Sequence, residues 1–109
     1  MITFFTTAKS FTGLIGIIQK NAITSWTKLR PKCEVIVFGN EEGAERTSKE
    51  LGIMHVPDIS YGEHGRPSVS ELFGRAEAIA TNKFLCYINA DIILTDDFMK
   101  ALTILAPLK

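Results

Sequence analysis

The sequence predicts a single α/β domain over residues 1–109: a mostly parallel sheet of about four strands with flanking helices. Three observations lead there. Four short runs of β-branched and aromatic residues alternate with four segments of helical period. The runs are apolar on consecutive residues, as strands buried on both faces are, rather than alternating as half-exposed strands do. Between them stand Gly, Pro, Asn and Asp, which close one period before the next begins. Strand and helix in regular alternation is the pattern of a parallel sheet covered by helices.

The first run, residues 2–7 (ITFFTT), reads as a short buried strand. Polar Thr7-Ala8-Lys9-Ser10 leaves it, and Leu14, Ile17, Ile18, Ala22, Trp26 and Leu29 then recur at helical spacing until Pro31 closes the helix. Residues 33–38 (CEVIVF) form a central-strand run with Gly39-Asn40 at the exit. A loop with Glu41 and Glu42 precedes a short polar helix over 43–51, which carries a Glu45–Lys49 pair at i, i+4 and Gly52 at the place of a left-handed cap. Residues 53–56 make a third strand.

Residues 57–67 hold Pro, Gly, Asp, Ser and Tyr without apolar period, a loop long enough to serve as a lid, with Tyr61 and Arg66 as second-rank contacts to a diphosphate or sugar and His64 placed to meet a substrate but without a visible partner. Ser68 and Glu71 have the spacing of a capping box. Val69, Leu72, Phe73, Ala76, Ile79 and Ala80 supply the apolar face of the helix that follows, with Arg75 off that stripe. Residues 84–88 are the fourth strand. Thr95 caps a last helix, Phe98, Leu102 and Leu105 face inward and Pro107 stops it.

A chain of 109 residues buries roughly two-thirds of its unfolded surface, enough for one core. Hydrophobic residues make up 46% and charged residues 22% with no net charge. That excludes a disordered chain and leaves no field to gather nucleic acid. Cys33 and Cys86 lie in apolar runs without C-x-x-C or Cys/His spacing, so both read as buried, reduced thiols. No transmembrane segment is expected, because no run approaches the ~18 apolar residues of a span. The apolar start is broken by Thr, Lys9 and Ser10, unlike a signal peptide. The expected location is cytoplasmic.

Open parallel sheets bind ligands outside the carboxyl ends of their strands, where the strand order reverses. The polar residues at those ends are Thr6, Thr7, Asn40, Glu41, Glu42, Asp58, Asn89 and Asp91. The most telling is the segment KFLCYINADIILTDD (83–97), in which an apolar strand delivers Asn89-Ala90-Asp91 to its exit. Magnesium and similar cations keep several waters and need only one or two carboxylates plus substrate phosphates. One well-placed Asp therefore suffices.

Strand, helix, strand with acidic exit, short helix, strand, loop, helix bearing Arg75, strand and Asn89-Ala90-Asp91: this order resembles the nucleotide-binding half of GT-A glycosyltransferases, particularly the family 2 type. The resemblance covers essentially the whole chain. Its sharpest element is YINADIIL, at the place of that fold's D-x-D motif. Arg75 is similar to the A-R-N helix that precedes the motif, although Ala76 and Glu77 follow it here.

The resemblance implies a nucleotide-diphosphate sugar as donor, a uridine diphosphate sugar in particular, and an acceptor it does not identify. It implies that Thr6, Thr7 and Ala8 contact the nucleobase through backbone groups, that Asn40 or Glu41 reads the uracil or ribose edge, and that Arg75 faces the base or diphosphate. Asn89 stands where the motif has its first Asp and retains the hydrogen bond to the ribose. Asp91 matches the last Asp, the direct ligand of a divalent cation, Mn²⁺ or Mg²⁺, which neutralises the charge that builds on a departing nucleoside diphosphate. The catalytic base stays unassigned. In the resembled family it comes, with the acceptor site, from sequence beyond the motif, so a partner or a C-terminal half is expected to supply it and to cover an exposed edge or apolar patch.

Blander readings stand beside these. Asp91 also suits a plain strand-ending turn, Asp96 and Asp97 suit a helix N-terminus, and His55 suits a packed strand position. Nucleotidyl transfer, P-loop and dinucleotide chemistry all require glycine patterns that are absent after the first strand. The rival to an enzyme is a non-catalytic α/β binding or interaction module: a degenerate transferase half, or a receiver- or flavodoxin-like domain with Asp58 as its carboxylate.

Overall fold

The computed structural model describes residues 2–30, 32–59, 69–82 and 84–105, and the side chains among them except those of residue 69 and residues 101–105. The chain alternates β1 (Ile2–Thr7), α1 (Gly13–Thr27), β2 (Glu34–Phe38), α2 (Ala44–Leu51), β3 (Met54–Val56), α3 (Val69–Ile79), β4 (Phe84–Tyr87) and α4 (Asp96–Leu105). The four strands form one sheet in the order β3-β2-β1-β4, and every pair is parallel. The α/β class and the helix-flanked parallel sheet are as the sequence predicts.

Alternation along the two central strands separates two cores. Ile2 and Phe4 of β1 and Val35 and Val37 of β2 point to one face, where they meet Ile23, Trp26 and Leu29 from α1 and its exit, and Met99 of α4. Phe4 sits between Trp26 and Phe98, with ring centroids 6.1 and 5.9 Å away. Phe5, Ile36 and Phe38 point to the other face and pack on Leu72 and Ala76 of α3. There Phe5 meets Phe73, Tyr87 and Phe38 edge-on. Burying each such ring contributes roughly 1.5–3 kcal/mol, so both central strands are pinned from both sides and their register is fixed.

Two strand-helix steps, through α1 and α2, build outward from β1, and the third, through α3, crosses back. β2 and β3 are laid outward from β1 on one edge, and β4 pairs with β1 on the other. The order reverses between β1 and β4. Ile88 continues that ladder by donating to the Phe5 carbonyl.

The first helix departs from expectation. Leu14, Ile17 and Ile18 do not face the core: Leu14 is 71% exposed and Ile17 60%, with Ile15 and Ile18 also exposed. The buried side consists of Gly16, Gln19, Ala22, Ile23 and Trp26. Aliphatic residues surround the first two turns of α1, so their spacing does not set its rotation. That is decided by Trp26 further along and by the hydrogen bonds of Gln19.

Smaller differences lie at element ends. Gly43 is the left-handed residue before α2 rather than its first turn, β4 stops at Tyr87, and β2 and β3 begin one residue later than their apolar runs. Phe73 and Ile79 of α3 remain exposed, and among the described residues α3 is the helix that covers the second face, with Ile59 packed beside it. Cys33 is buried, whereas Cys86 is half-buried on the edge strand, and neither is in a disulfide. Ser68 of the capping box, the loop residues Tyr61, His64 and Arg66, and the stop at Pro107 lie outside the described residues. Among the described residues no helix is long and apolar enough to cross a membrane.

Candidate functional site

A cleft of about 840 Å³ opens at the carboxyl end of the sheet, across the reversal of strand order. That volume falls in the range of small-molecule sites. Its floor is the exit of β1 and β4: Thr7 and Ala8 on one bank, Tyr87, Asn89, Ala90 and Asp91 on the other. The Thr7 and Tyr87 hydroxyls face each other at 3.4 Å across it.

The Asn89-Ala90-Asp91 segment is a turn, closed by the Ile92 amide donating to the Asn89 carbonyl at 3.2 Å. Ala90 is buried beneath it, whereas Asn89 and Asp91 are exposed. Asn and Asp in ordinary turns spend their side chains on nearby backbone. Here neither side chain makes a hydrogen bond within the described residues, so both are open to the cleft. Glu41, half-buried on the far side beyond Gly39, adds a second carboxylate.

The α1 helix holds both banks. On the β1 side, the amide of Gln19 accepts from the Lys9 backbone N–H at 2.7 Å and donates to the Lys9 carbonyl at 2.9 Å. On the β4 side, the Trp26 indole donates to the Ile92 carbonyl at 2.7 Å and the Leu94 amide donates to Ser25 Oγ at 3.0 Å. The Phe11 amide donates to the Glu42 carbonyl at 2.7 Å, fastening the loop after β1 to the exit of β2. Glycine is required at two points of this fastening: a Cβ on Gly16 would stand 2.5 Å from the Phe11 carbonyl carbon, and one on Gly43 would stand 2.9 Å from the Phe11 Cβ.

Of the residues singled out in the sequence, the cleft brings together Thr7, Ala8, Glu41, Asn89 and Asp91. Thr6, Asn40 and Arg75 are not on its lining. Thr6 is fully buried one step inside the strand, where alternation turns it into the sheet face, and its hydroxyl donates to the Thr7 carbonyl. Asn40 is exposed beyond Gly39. Arg75 Nη1 donates to the Asp58 carbonyl at 2.6 Å and ties α3 to the exit of β3. His55 is half-buried, as a packed strand histidine should be, with Nε2 hydrogen-bonded to the Gly39 carbonyl at 2.7 Å.

Sequence reasoning passed over the other walls. Phe38, Ile59, Leu72 and Tyr87 line the α3 side, and Ile15, Ile18 and Gln19 line the α1 side. Apolar periodicity reads most of these as core. Only the strand order reveals that they end at a cleft.

For a divalent cation the donor set is sparse. Among the described residues no three His, Cys, Asp or Glu side chains gather at one point. What the cleft offers is one exposed carboxylate, Asp91, an amide at Asn89 and a second carboxylate across the opening at Glu41. That set fits an ion that takes most of its ligands from water and bound phosphate, and it does not fit a closed structural site such as tetrahedral zinc. Comparison with protein-family models, with curated proteins and with solved structures gives no match to this chain.

Proposed function

We propose that the chain binds a nucleotide-diphosphate sugar, a uridine diphosphate sugar, in the cleft between the exits of β1 and β4, and that it serves glycosyl transfer to an acceptor. The observation that supports this reading most is the placement of Asn89 and Asp91: unspent polar side chains at the exit of β4, opposite Thr7 and Ala8 and at the point of strand-order reversal. Asp91 with the ligand's phosphates would hold Mn²⁺ or Mg²⁺, and the ion would neutralise charge on the leaving diphosphate.

Thr7, Ala8 and Glu41 would meet the nucleoside, with Asn89 at the ribose. The catalytic base stays unassigned in this reading, and the chain's share in it is donor binding. A partner or a further stretch of chain would bring the acceptor.

The test is calorimetric titration of UDP into the 109-residue chain, with and without Mn²⁺, beside Asp91→Ala. Binding strengthened by Mn²⁺ in the unsubstituted chain and indifferent to it in the variant is the expected result. Absence of UDP binding under both conditions would refute the reading. It would favour the second one, a non-catalytic interaction module, for which the exposed Leu14, Ile15, Ile17 and Ile18 beside the cleft speak.

A further inference from the structure

The cleft carries a charge problem that the donor-site reading does not solve by itself. Its described carboxylates, Glu41 and Asp91, both repel a phosphate, and Asp91 attracts one only through a metal ion. Among the described residues one cation lines the cleft: Lys9, exposed, on the loop that leaves β1, with no ion pair there.

Its backbone is held more firmly than an exposed loop residue needs. Gln19 is only 4% exposed, yet its whole hydrogen-bonding capacity toward the chain goes to the two main-chain groups of Lys9. A side-chain amide used this way acts like one more residue of a sheet. It closes a ring of two bonds around Lys9 and satisfies a donor and an acceptor that the end of the strand leaves over. A buried glutamine in the middle of a helix face otherwise made of Gly16, Ala22, Ile23 and Trp26 is costly unless satisfied, and this clamp satisfies it. Two residues on, Phe11 is gripped by Gly16 and Gly43, so the loop is fixed on both sides of Lys9.

We propose that Lys9 is the side chain that receives the phosphate groups of the ligand, and that Gln19 is a positioning residue that holds Lys9 at the cleft wall. The proposal rests on the donor-site reading and names the group that anchors the anionic part of the donor without metal. A lysine is a suitable partner, because its ammonium meets phosphate as a point charge. A stem that starts from a fixed backbone loses less freedom on binding than one on a loose loop.

The experiment compares UDP with uridine, each titrated without metal and with Mn²⁺, in the unsubstituted chain, Lys9→Ala, Lys9→Arg, Gln19→Met and the Lys9→Ala/Gln19→Met pair. Lys9→Ala is expected to weaken metal-free UDP binding about tenfold, as loss of a charge-assisted hydrogen bond does, to weaken it less with Mn²⁺, and to leave uridine binding unchanged. Lys9→Arg should restore most of the loss. Gln19→Met keeps the length and loses both hydrogen bonds, so it should follow Lys9→Ala for UDP and spare uridine. The double variant should bind like Lys9→Ala alone, since Gln19 acts through Lys9.

If the unsubstituted chain binds neither ligand, the donor-site reading falls and this one with it. If it binds UDP and Lys9→Ala binds equally well, only the Lys9 assignment is overturned. Additive losses in the double variant, or equal losses of UDP and uridine in Gln19→Met, would reduce Gln19 to a structural residue. Should Gln19→Met not fold, Gln19→Glu carries that part: as a neutral acid it reproduces both bonds, and as a carboxylate it repels the Lys9 carbonyl. UDP affinity relative to the unsubstituted chain must then fall as pH rises through the carboxyl's titration, and the fall must vanish in the Lys9→Ala/Gln19→Glu pair, where direct repulsion of the diphosphate by the carboxylate would persist. A pH-independent ratio, or a fall of the same size without Lys9, would overturn the role.

Discussion

Replacing Gly16 by alanine sets two known effects against each other. Inside a helix, Gly→Ala ordinarily stabilises by about 1 kcal/mol. At Gly16, however, the new Cβ would lie 2.5, 2.9 and 3.0 Å from the carbonyl carbon, oxygen and Cα of Phe11. These are main-chain atoms, held in place by the Phe11–Glu42 hydrogen bond and by Gly43 on the far side, so no side chain can swing away. Overpacking of this kind costs about 1–3 kcal/mol, and the absence of a flexible neighbour puts Gly16 at the upper end. The net expectation is a destabilisation of about 1–2 kcal/mol.

Gly74, inside α3, is the control: among the described residues nothing stands within 4 Å of its Cβ position. Gly74→Ala should gain about 0.5–1 kcal/mol from helix preference alone. Urea unfolding of the two variants, with Tm as a second readout at roughly 4–8 °C per kcal/mol for a domain of this size, should move them in opposite directions. A Gly16→Ala protein as stable as the unsubstituted chain would show that the loop after β1 yields easily, and the rigid cleft wall would lose its basis.

Trp26→Phe removes an indole donor 2.7 Å from the Ile92 carbonyl and leaves a void in the main core; about 2–4 kcal/mol of stability should be lost in urea unfolding. A loss under about 1 kcal/mol would mean that the segment after Asp91 does not depend on α1. Burial pushes the thiols of both Cys33 and Cys86 above their ordinary range. The folded chain then keeps protons that the unfolded chain gives up, so this contribution is whole below the unfolded thiol value of about 8.5 and is lost as pH rises through the folded values. Unfolding midpoints should fall on the alkaline side, and Cys33→Ala and Cys86→Ala should flatten that fall; an unchanged slope in both variants would assign it to other groups.

What the sequence discloses, and what it hides, follows from where each signal is local. The strands are legible because ITFF, EVIVF and FLCY are nearly continuous apolar runs, broken only by Thr3 and Glu34, as strands of a parallel sheet covered by helices are. The exit of β4 is legible because Asn89 and Asp91 break such a run. The rotation of α1 is not, since Leu14, Ile15, Ile17 and Ile18 give no single apolar side, and Gln19 is drawn inward by Lys9, ten residues away. Thr6 and Thr7 look alike in sequence, yet one faces the core and the other the cleft, which depends on the last ladder position. Tyr87 and Leu72 are cleft walls by virtue of the strand order, and no residue states that order by itself.

The order in which the strands are joined bears on what a bound ligand does to the chain. Thr3 and Glu34, linked by a hydrogen bond between β1 and β2, are 31 residues apart, while Thr7 and Tyr87 across the cleft are 80 apart. Bringing β4 to β1 therefore closes a much longer loop, at a greater cost in chain entropy. It also draws on an edge strand whose four residues are all only half-buried. The cleft sits on that seam. Any molecule that touches Thr7 on one bank and Asn89 or Asp91 on the other spans the longest closure in the described sheet, and its binding energy is added there, so occupancy acts as a reversible cross-link between β1 and β4.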